Sequence, residues 1–313
     1  MTESLEPAPA PGAGAAPGAA MAADVAAAPD AAAAPDAAAA PPAGVAASPD
    51  AAAAPTTAPP ASTGRRGPRR RTVVLAIVGV LVVGVAIGLA WFFSPQALLP
   101  EATAALASTA GATFSDEDAG LTFTPTAAPP AIGLVLYPGA KVPAEGYAPT
   151  ARALAERGYL AVVVPMPLNF AIFDIGAADR VIAAHPEIGR WAIGGHSLGG
   201  AMAAQYAADH PEAVAGLALC GAYSATDLSA GSLAASSVYG SLDAAVPTIE
   251  DPATRALLPS TTAYVRIEGG NHEQCGWYTG QPNDPPATIS REEQQERLVD
   301  AWADLLAGLA ATP

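Results

Sequence analysis

Residues 73–93 form an unbroken apolar run, rich in Val, Leu and Ile and free of charged side chains. As a helix rising 1.5 Å per residue, a run of this length crosses the ~30 Å hydrocarbon core of a bilayer. Trp91, Phe92 and Phe93 close it with rings suited to the membrane–water interface, and Arg65, Arg66, Arg69, Arg70 and Arg71 stand ahead of it. Arginines on the N-terminal flank predict a single-pass cell-membrane anchor with a cytoplasmic N-terminus and an extracytoplasmic remainder. Two other readings compete. One is the core of a cleaved signal peptide, with Ala105-Leu106-Ala107 downstream, although such cores run to only ~7–15 residues. The other is a buried core helix, which the length and the flanks oppose. Gly84 and Gly88 have the G-x-x-x-G spacing that permits weak helix pairing; the oligomeric state is otherwise open.

Beyond this run the pattern changes. Residues 131–137 are continuously apolar and end at Pro138-Gly139. Helical spacing follows at 147–157, then a β-branched strand at 159–164. Residues 174–184 read as a helix closed by His185-Pro186, 190–194 as a strand, and 198–208 as a helix stopped at His210-Pro211. Three more strands are expected at 214–219, 233–238 and 262–267. Ser290 and Glu293 form a capping box that opens the last helix. Strands alternating with helices predict a mainly parallel sheet covered on both faces. Residues 94–120 read as a linker, which leaves 121–313 as one folded domain long enough for a sizeable core.

Composition changes the picture upstream. Residues 1–64 are almost entirely Ala, Pro, Gly, Asp, Ser and Thr, lack any aromatic residue, and repeat a Pro-Asp-Ala unit from Pro29, Pro35 and Pro49. Such a segment cannot bury enough apolar surface to offset its ordering entropy. It reads as a disordered Ala/Pro-rich tail, either a solvated spacer or a docking segment, followed by a basic juxtamembrane cluster at 65–72. The net charge is −15, and beyond Thr72 the chain carries 23 acidic against 9 basic residues. An acidic domain without a basic stripe excludes nucleic-acid binding. H-E-x-x-H, P-loop and dinucleotide fingerprints do not occur, and two cysteines make neither a zinc pattern nor a disulfide scaffold. Neither a metal nor another cofactor is expected.

The candidate chemistry centres on Gly195-His196-Ser197-Leu198-Gly199, a G-x-S-x-G between an apolar strand and a small-residue helix. That is the strand–elbow–helix setting in which a serine hydroxyl is lifted above a sheet edge. Serine needs a base to become a nucleophile. Of the four histidines, His196 lies inside the elbow, where its side chain is expected to point elsewhere. His185 and His210 precede prolines at helix ends, where capping or surface roles fit. His272, in Gly269-Gly270-Asn271-His272 after the last strand, is the expected base. Asp243 follows the 233–238 strand and is the expected acid that orients the imidazole, with Asp227 as fallback. Backbone N–H groups of Ala140 and Leu198 are the expected oxyanion donors. Gly139 lets the backbone approach a substrate, and Lys141 reads as a solvated charge. Met166, Phe170, Trp277 and Tyr278 fall on loops expected near the site, as pocket lining or as ordinary packing. Cys220 and Cys275 each follow a strand, either bonded, so as to tether the His272 loop, or as two separate buried thiols.

Four segments, Leu136-Tyr137-Pro138-Gly139-Ala140, Gly195 to Gly200, Tyr239-Gly240-Ser241-Leu242-Asp243 and Gly269-Gly270-Asn271-His272, together resemble the compact bacterial α/β-hydrolases of the dienelactone-hydrolase-like clan. The resemblance covers about residues 131–310. It implies an α/β-hydrolase fold with a doubly wound sheet and little or no cap. It also implies cofactor-free hydrolysis of esters or thioesters through Ser197, Asp243 and His272. True dienelactone hydrolases use cysteine as the nucleophile, so their substrate does not carry over. Two alternatives stay open at this point: a non-catalytic envelope binding module on the same scaffold, and a peptidase or acyltransferase using the same triad.

Overall fold

The computed structural model describes residues 70–311; the predicted tail at 1–64, together with Arg65, Arg66 and Arg69, lies outside the described residues. The first element, α1 (Arg70–Phe92), buries none of its 23 residues and is long and apolar enough to cross a membrane.

The segment expected to be a linker is folded instead. Within it, β1 (Ala97–Leu98) precedes α2 (Pro100–Ala104), which buries Ala102. Next, β2 (Ala112–Glu117) pairs antiparallel with β3 (Gly120–Pro125) across the two-residue turn Asp118-Ala119. Its sequence alternates too weakly to announce a strand. The pairing partner supplies the apolar contact, with Phe114 and Phe123 ring centroids 5.1 Å apart.

The remaining strands are β4 (Ile132–Tyr137), β5 (Leu160–Val163), β6 (Arg190–His196), β7 (Gly216–Cys220), β8 (Ala234–Gly240), β9 (Ala263–Ile267) and the short β10 (Tyr278–Thr279). Eight of the ten described strands form one sheet in the order β2-β3-β5-β4-β6-β7-β8-β9, parallel from β5 to β9 and antiparallel at β2 and β3. A second, two-stranded ribbon joins β1 to β10 antiparallel.

Period-2 alternation explains why the central strands are apolar throughout. Leu134, Leu136, Ala161, Val163, Ala192 and Ala218 face one core layer, shared with α3 (Ala148–Ala155) and α8 (Arg291–Ala311). Val135, Tyr137, Val162, Ile193, Leu217 and Leu219 face the other, shared with α4 (Ala177–Ala184) and α5 (Leu198–Asp209). The helix expected at 174–184 starts late because Asp174 lies outside it and pairs with Arg180 at 2.7 Å. Two short helices, α6 (Val246–Ile249) and α7 (Pro252–Arg255), follow β8. Ser290 Oγ accepts the Glu293 N–H at 3.1 Å and caps α8. The parallel strands all end at one edge, and Ala140, Ser197, Asp243 and His272 lie where the chain leaves it.

Candidate active site

β6 ends at His196, and the chain breaks sharply at Ser197, whose φ of 52° and ψ of −124° lie where a side chain is disfavoured. Two backbone bonds hold it there. The Ser197 N–H donates to the Cys220 carbonyl at 3.1 Å, and the Ala201 N–H donates to the Ser197 carbonyl at 3.0 Å. The flanking glycines follow from close approach. A Cβ on Gly195 would lie 2.5 Å from the Gly199 carbonyl carbon, and one on Gly199 would strike the carbonyl oxygens of Tyr137 and Pro138. The elbow is thereby pressed against the end of β4.

That contact brings the 138–142 loop beside Ser197. In this loop the Gly139 N–H donates to the Tyr147 hydroxyl at 2.9 Å, and the Lys141 N–H donates to the Asn169 carbonyl at 2.8 Å. Between them the Ala140 N–H has no acceptor, and neither does the Leu198 N–H at the first turn of α5. Two unpaired donors at a strand edge and a helix N-terminus suit a developing negative charge.

Asp243 follows β8 and is 3% exposed. Its Oδ1 accepts the Ala245 N–H at 2.7 Å, and its Oδ2 lies 2.9 Å from Nδ1 of His272. An Nδ1–H donating to the carboxylate leaves Nε2 of His272 as the basic nitrogen. Gly221, at φ 55°, follows Cys220 and passes beneath this pair. A Cβ there would be 2.8 Å from Asp243 Oδ2 and 3.0 Å from His272 Nδ1. The end of β7 thus touches both parts, with the Ser197 N–H bonded to Cys220 and the Asp243–His272 pair lying over Gly221. Burial alone would push the His272 imidazolium pKa down. The Asp243 hydrogen bond and charge, with Asp284 beyond, outweigh burial and hold it above the ordinary histidine value.

Several contributors had no sequence signal. Asp284, in a Pro-rich loop, accepts the backbone N–H groups of His272 at 3.2 Å and Glu273 at 2.8 Å. Its carboxyl is shifted up by burial, against the pull of those bonds. The Arg291 guanidinium donates to the carbonyls of Glu273 and Gly276, and Gln294 brackets Asn271 by accepting its N–H and donating to its carbonyl. Cys220 and Cys275 are joined in a disulfide that ties this loop to the end of β7. The nearest sequence signal was the two cysteines; the polar fasteners stand 12 to 22 positions beyond His272, Asp284 in the loop and Arg291 and Gln294 on α8.

His196 is not directed away from the site, as the sequence suggested. Its ring centroid lies 4.5 Å from that of His272, and its Nδ1 is hydrogen-bonded with the Tyr147 hydroxyl at 2.7 Å. Burial, and then the neighbouring His272, hold its pKa well below the ordinary value, so it stays neutral. His185 occupies the C-cap of α4 and is buried rather than on the surface, with Nδ1 3.2 Å from Glu187 Oε1. Asp227 lies at the opposite sheet edge, lining a groove with Arg190, Val214 and Leu233.

The four candidate pocket residues divide. Met166 and Phe170 lie on the 166–173 turn, which the Lys141–Asn169 bond fastens to the Ala140 loop. Trp277 and Tyr278 do not line the site. Trp277 borders a groove between Pro149 and Val299, and Tyr278 is fully buried in the core beside the β1–β10 ribbon. Tyr278 packs behind the site, with its ring centroid 6.1 Å from that of His196. Among the described residues no cluster of His, Cys, Asp or Glu suited to a metal ion occurs.

The model of the alpha/beta hydrolase family matches residues 133–296 of the chain. No curated protein matches. Similar solved structures include a CIB-like hydrolase from Thermoplasma acidophilum, at 17% identity and TM-score 0.45, covering 62% of this chain and 100% of its own. Est1E from Butyrivibrio proteoclasticus is similar at 14% identity and TM-score 0.45, covering 63% and 100%. TT1662 from Thermus thermophilus is similar at 16% and 0.47, covering 64% and 99%.

Proposed function

Because the chain belongs to the α/β-hydrolase family, we propose that it is a membrane-anchored serine hydrolase that cleaves carboxylic esters or thioesters through an acyl-enzyme. The observation that carries this is the placement of a strained Ser197, the Asp243–His272 pair and two unpaired N–H groups on the loops that leave the ends of β4, β6, β8 and β9. His272 Nε2 takes the Ser197 proton as Oγ attacks the carbonyl carbon. The Ala140 and Leu198 N–H groups hold the oxyanion. Asp243 keeps the imidazole oriented and offsets its charge once protonated. His272 returns the proton to the leaving alcohol or thiol, and water then releases the acid by the same steps.

Membrane anchoring rests on α1, whose 23 residues reach about 34 Å as a helix. The arginines ahead of it support a cytoplasmic N-terminus and an extracytoplasmic hydrolase domain.

The full chain in detergent is expected to hydrolyse short p-nitrophenyl esters and to be labelled by a fluorophosphonate. Ser197→Ala is expected to abolish both. Labelling and turnover that survive in Ser197→Ala would remove Ser197 from the chemistry. An inert wild type would leave the non-catalytic scaffold as the reading.

A further inference from the structure

Outside α1, the exposed large apolar side chains among the described residues are Leu168, Ile172 and Phe173, at 58%, 52% and 55% exposure. All three belong to the 166–173 turn, on the same sheet edge as Ser197. The turn is shaped at some cost, since Leu168 and Asn169 both hold positive φ, at 53° and 58°. Through Asn169 it is bonded to Lys141, next to the Ala140 N–H.

The C-terminal end of α1 lands on this turn. Phe92 stacks on Phe170 with centroids 5.8 Å apart, Phe93 meets Phe170 edge-on at 5.7 Å, and Phe170 meets Phe173 at 6.0 Å. Lys141, the chain's one lysine, holds Nζ 5.4 Å from the Trp91 ring centroid. The Gln96 N–H donates to the Lys141 carbonyl at 2.8 Å. Four residues, 93–96, separate α1 from β1. Even fully extended they span only about 14 Å. With α1 across a bilayer, the 166–173 turn and the loop carrying Ala140 are therefore held at the headgroup level. The turn itself has no charged residue, in a domain that is otherwise strongly acidic.

We propose that the 166–173 turn is immersed in the leaflet beside α1 and that the substrate is an acyl lipid ester drawn from that leaflet. Its carbonyl rises to the Ala140 and Leu198 N–H groups, while Leu168, Ile172 and Phe173 stay among the surrounding lipid tails and hold the turn in the leaflet. Ser197 Oγ bonds to the acyl carbon, the bond to the lipid's alkoxy oxygen breaks, and the alcohol leaves with the proton from His272. Water then releases the fatty acid. This deepens the serine-hydrolase reading and rests on it and on α1 as the anchor.

The test uses the full chain in phosphatidylcholine vesicles holding a fluorogenic acyl-glycerol ester, with soluble p-nitrophenyl butyrate in parallel. Leu168→Ser, Ile172→Ser and Phe173→Ser combined is expected to lower vesicle-ester turnover at least 10-fold and soluble-ester turnover less than 2-fold. A wild type active on the soluble ester and inactive on the vesicle ester overturns the lipid substrate while leaving the serine-hydrolase reading intact. Loss of both activities together with fluorophosphonate labelling would mean general damage, and a second measurement then decides. The described chain has no free cysteine, so Ile172→Cys and Ala230→Cys, the latter exposed at the opposite sheet edge, each accept one fluorophore. Nitroxides on lipid tails are expected to quench the label at 172 and not the one at 230. Equal quenching overturns immersion, and so does a label at 172 that is shielded by a second copy of the chain.

Discussion

Ser197 and His272 each sit in a state that the isolated residue would avoid, and this makes them measurable. As the proposed base, His272 acts only when neutral. Its pKa is held above the ordinary value of ~6.5, so kcat/KM on a soluble ester is expected to rise with pH to a midpoint above 6.5. Asp243→Asn removes the hydrogen bond and charge that raise it and leaves burial in control. The midpoint is then expected to fall below that of the wild type, with a rate loss of about 10³–10⁴-fold. A pH–rate profile of both proteins checks this, and an unmoved midpoint would separate Asp243 from the titration. The same shift bears on stability. A raised folded-state pKa stabilises the fold below the unfolded value and loses that contribution as pH rises through the folded one.

The element that decides the geometry is the loop between β9 and α8. It has little regular structure and is fastened by the Cys220–Cys275 disulfide, Asp284, Arg291 and Gln294. The disulfide closes a loop of 55 residues. Replacing both cysteines with alanine is expected to lower unfolding free energy by about 4 kcal/mol on the chain-entropy account. It is also expected to lower kcat more than it changes KM, because His272 loses one of its fasteners. Urea unfolding followed by tryptophan fluorescence, with kinetics on the same variant, reads both. An unchanged unfolding midpoint would leave the disulfide without structural weight.

On the scale of the whole molecule, two separate features support one orientation. Arginines precede α1, and a disulfide, which persists in oxidising compartments, follows it. Protease added outside intact cells is expected to remove the hydrolase domain and spare the Ala/Pro-rich tail. A tail cleaved first, with the domain protected, would reverse the topology. The short stretch from α1 to β1 also means that this is not a domain on a long tether. The sheet edge that carries the candidate site is packed against the end of α1 through Phe92, Phe93 and Phe170.

The amino-acid sequence by itself determined the alternating strand–helix order, the apolar run of α1 and the elbow at Ser197. Each is a local matter of periodicity, turn chemistry or close backbone approach. It also singled out His272 and Asp243, because four histidines and the chain order left few candidates. It misjudged 94–120, since a weakly alternating strand such as β2 is stabilised only by its partner β3. It had no means of finding Asp284, Tyr147 or the neighbourhood of His196, whose roles come from segments far apart in the chain meeting at one sheet edge. The direction of Trp277 and Tyr278 was decided by the pairing of β1 with β10, and the exposed 166–173 turn gained its meaning from the end of α1. Those are long-range contacts. Only the tertiary fold sets them, because no local preference along the chain encodes which distant surface a loop will meet.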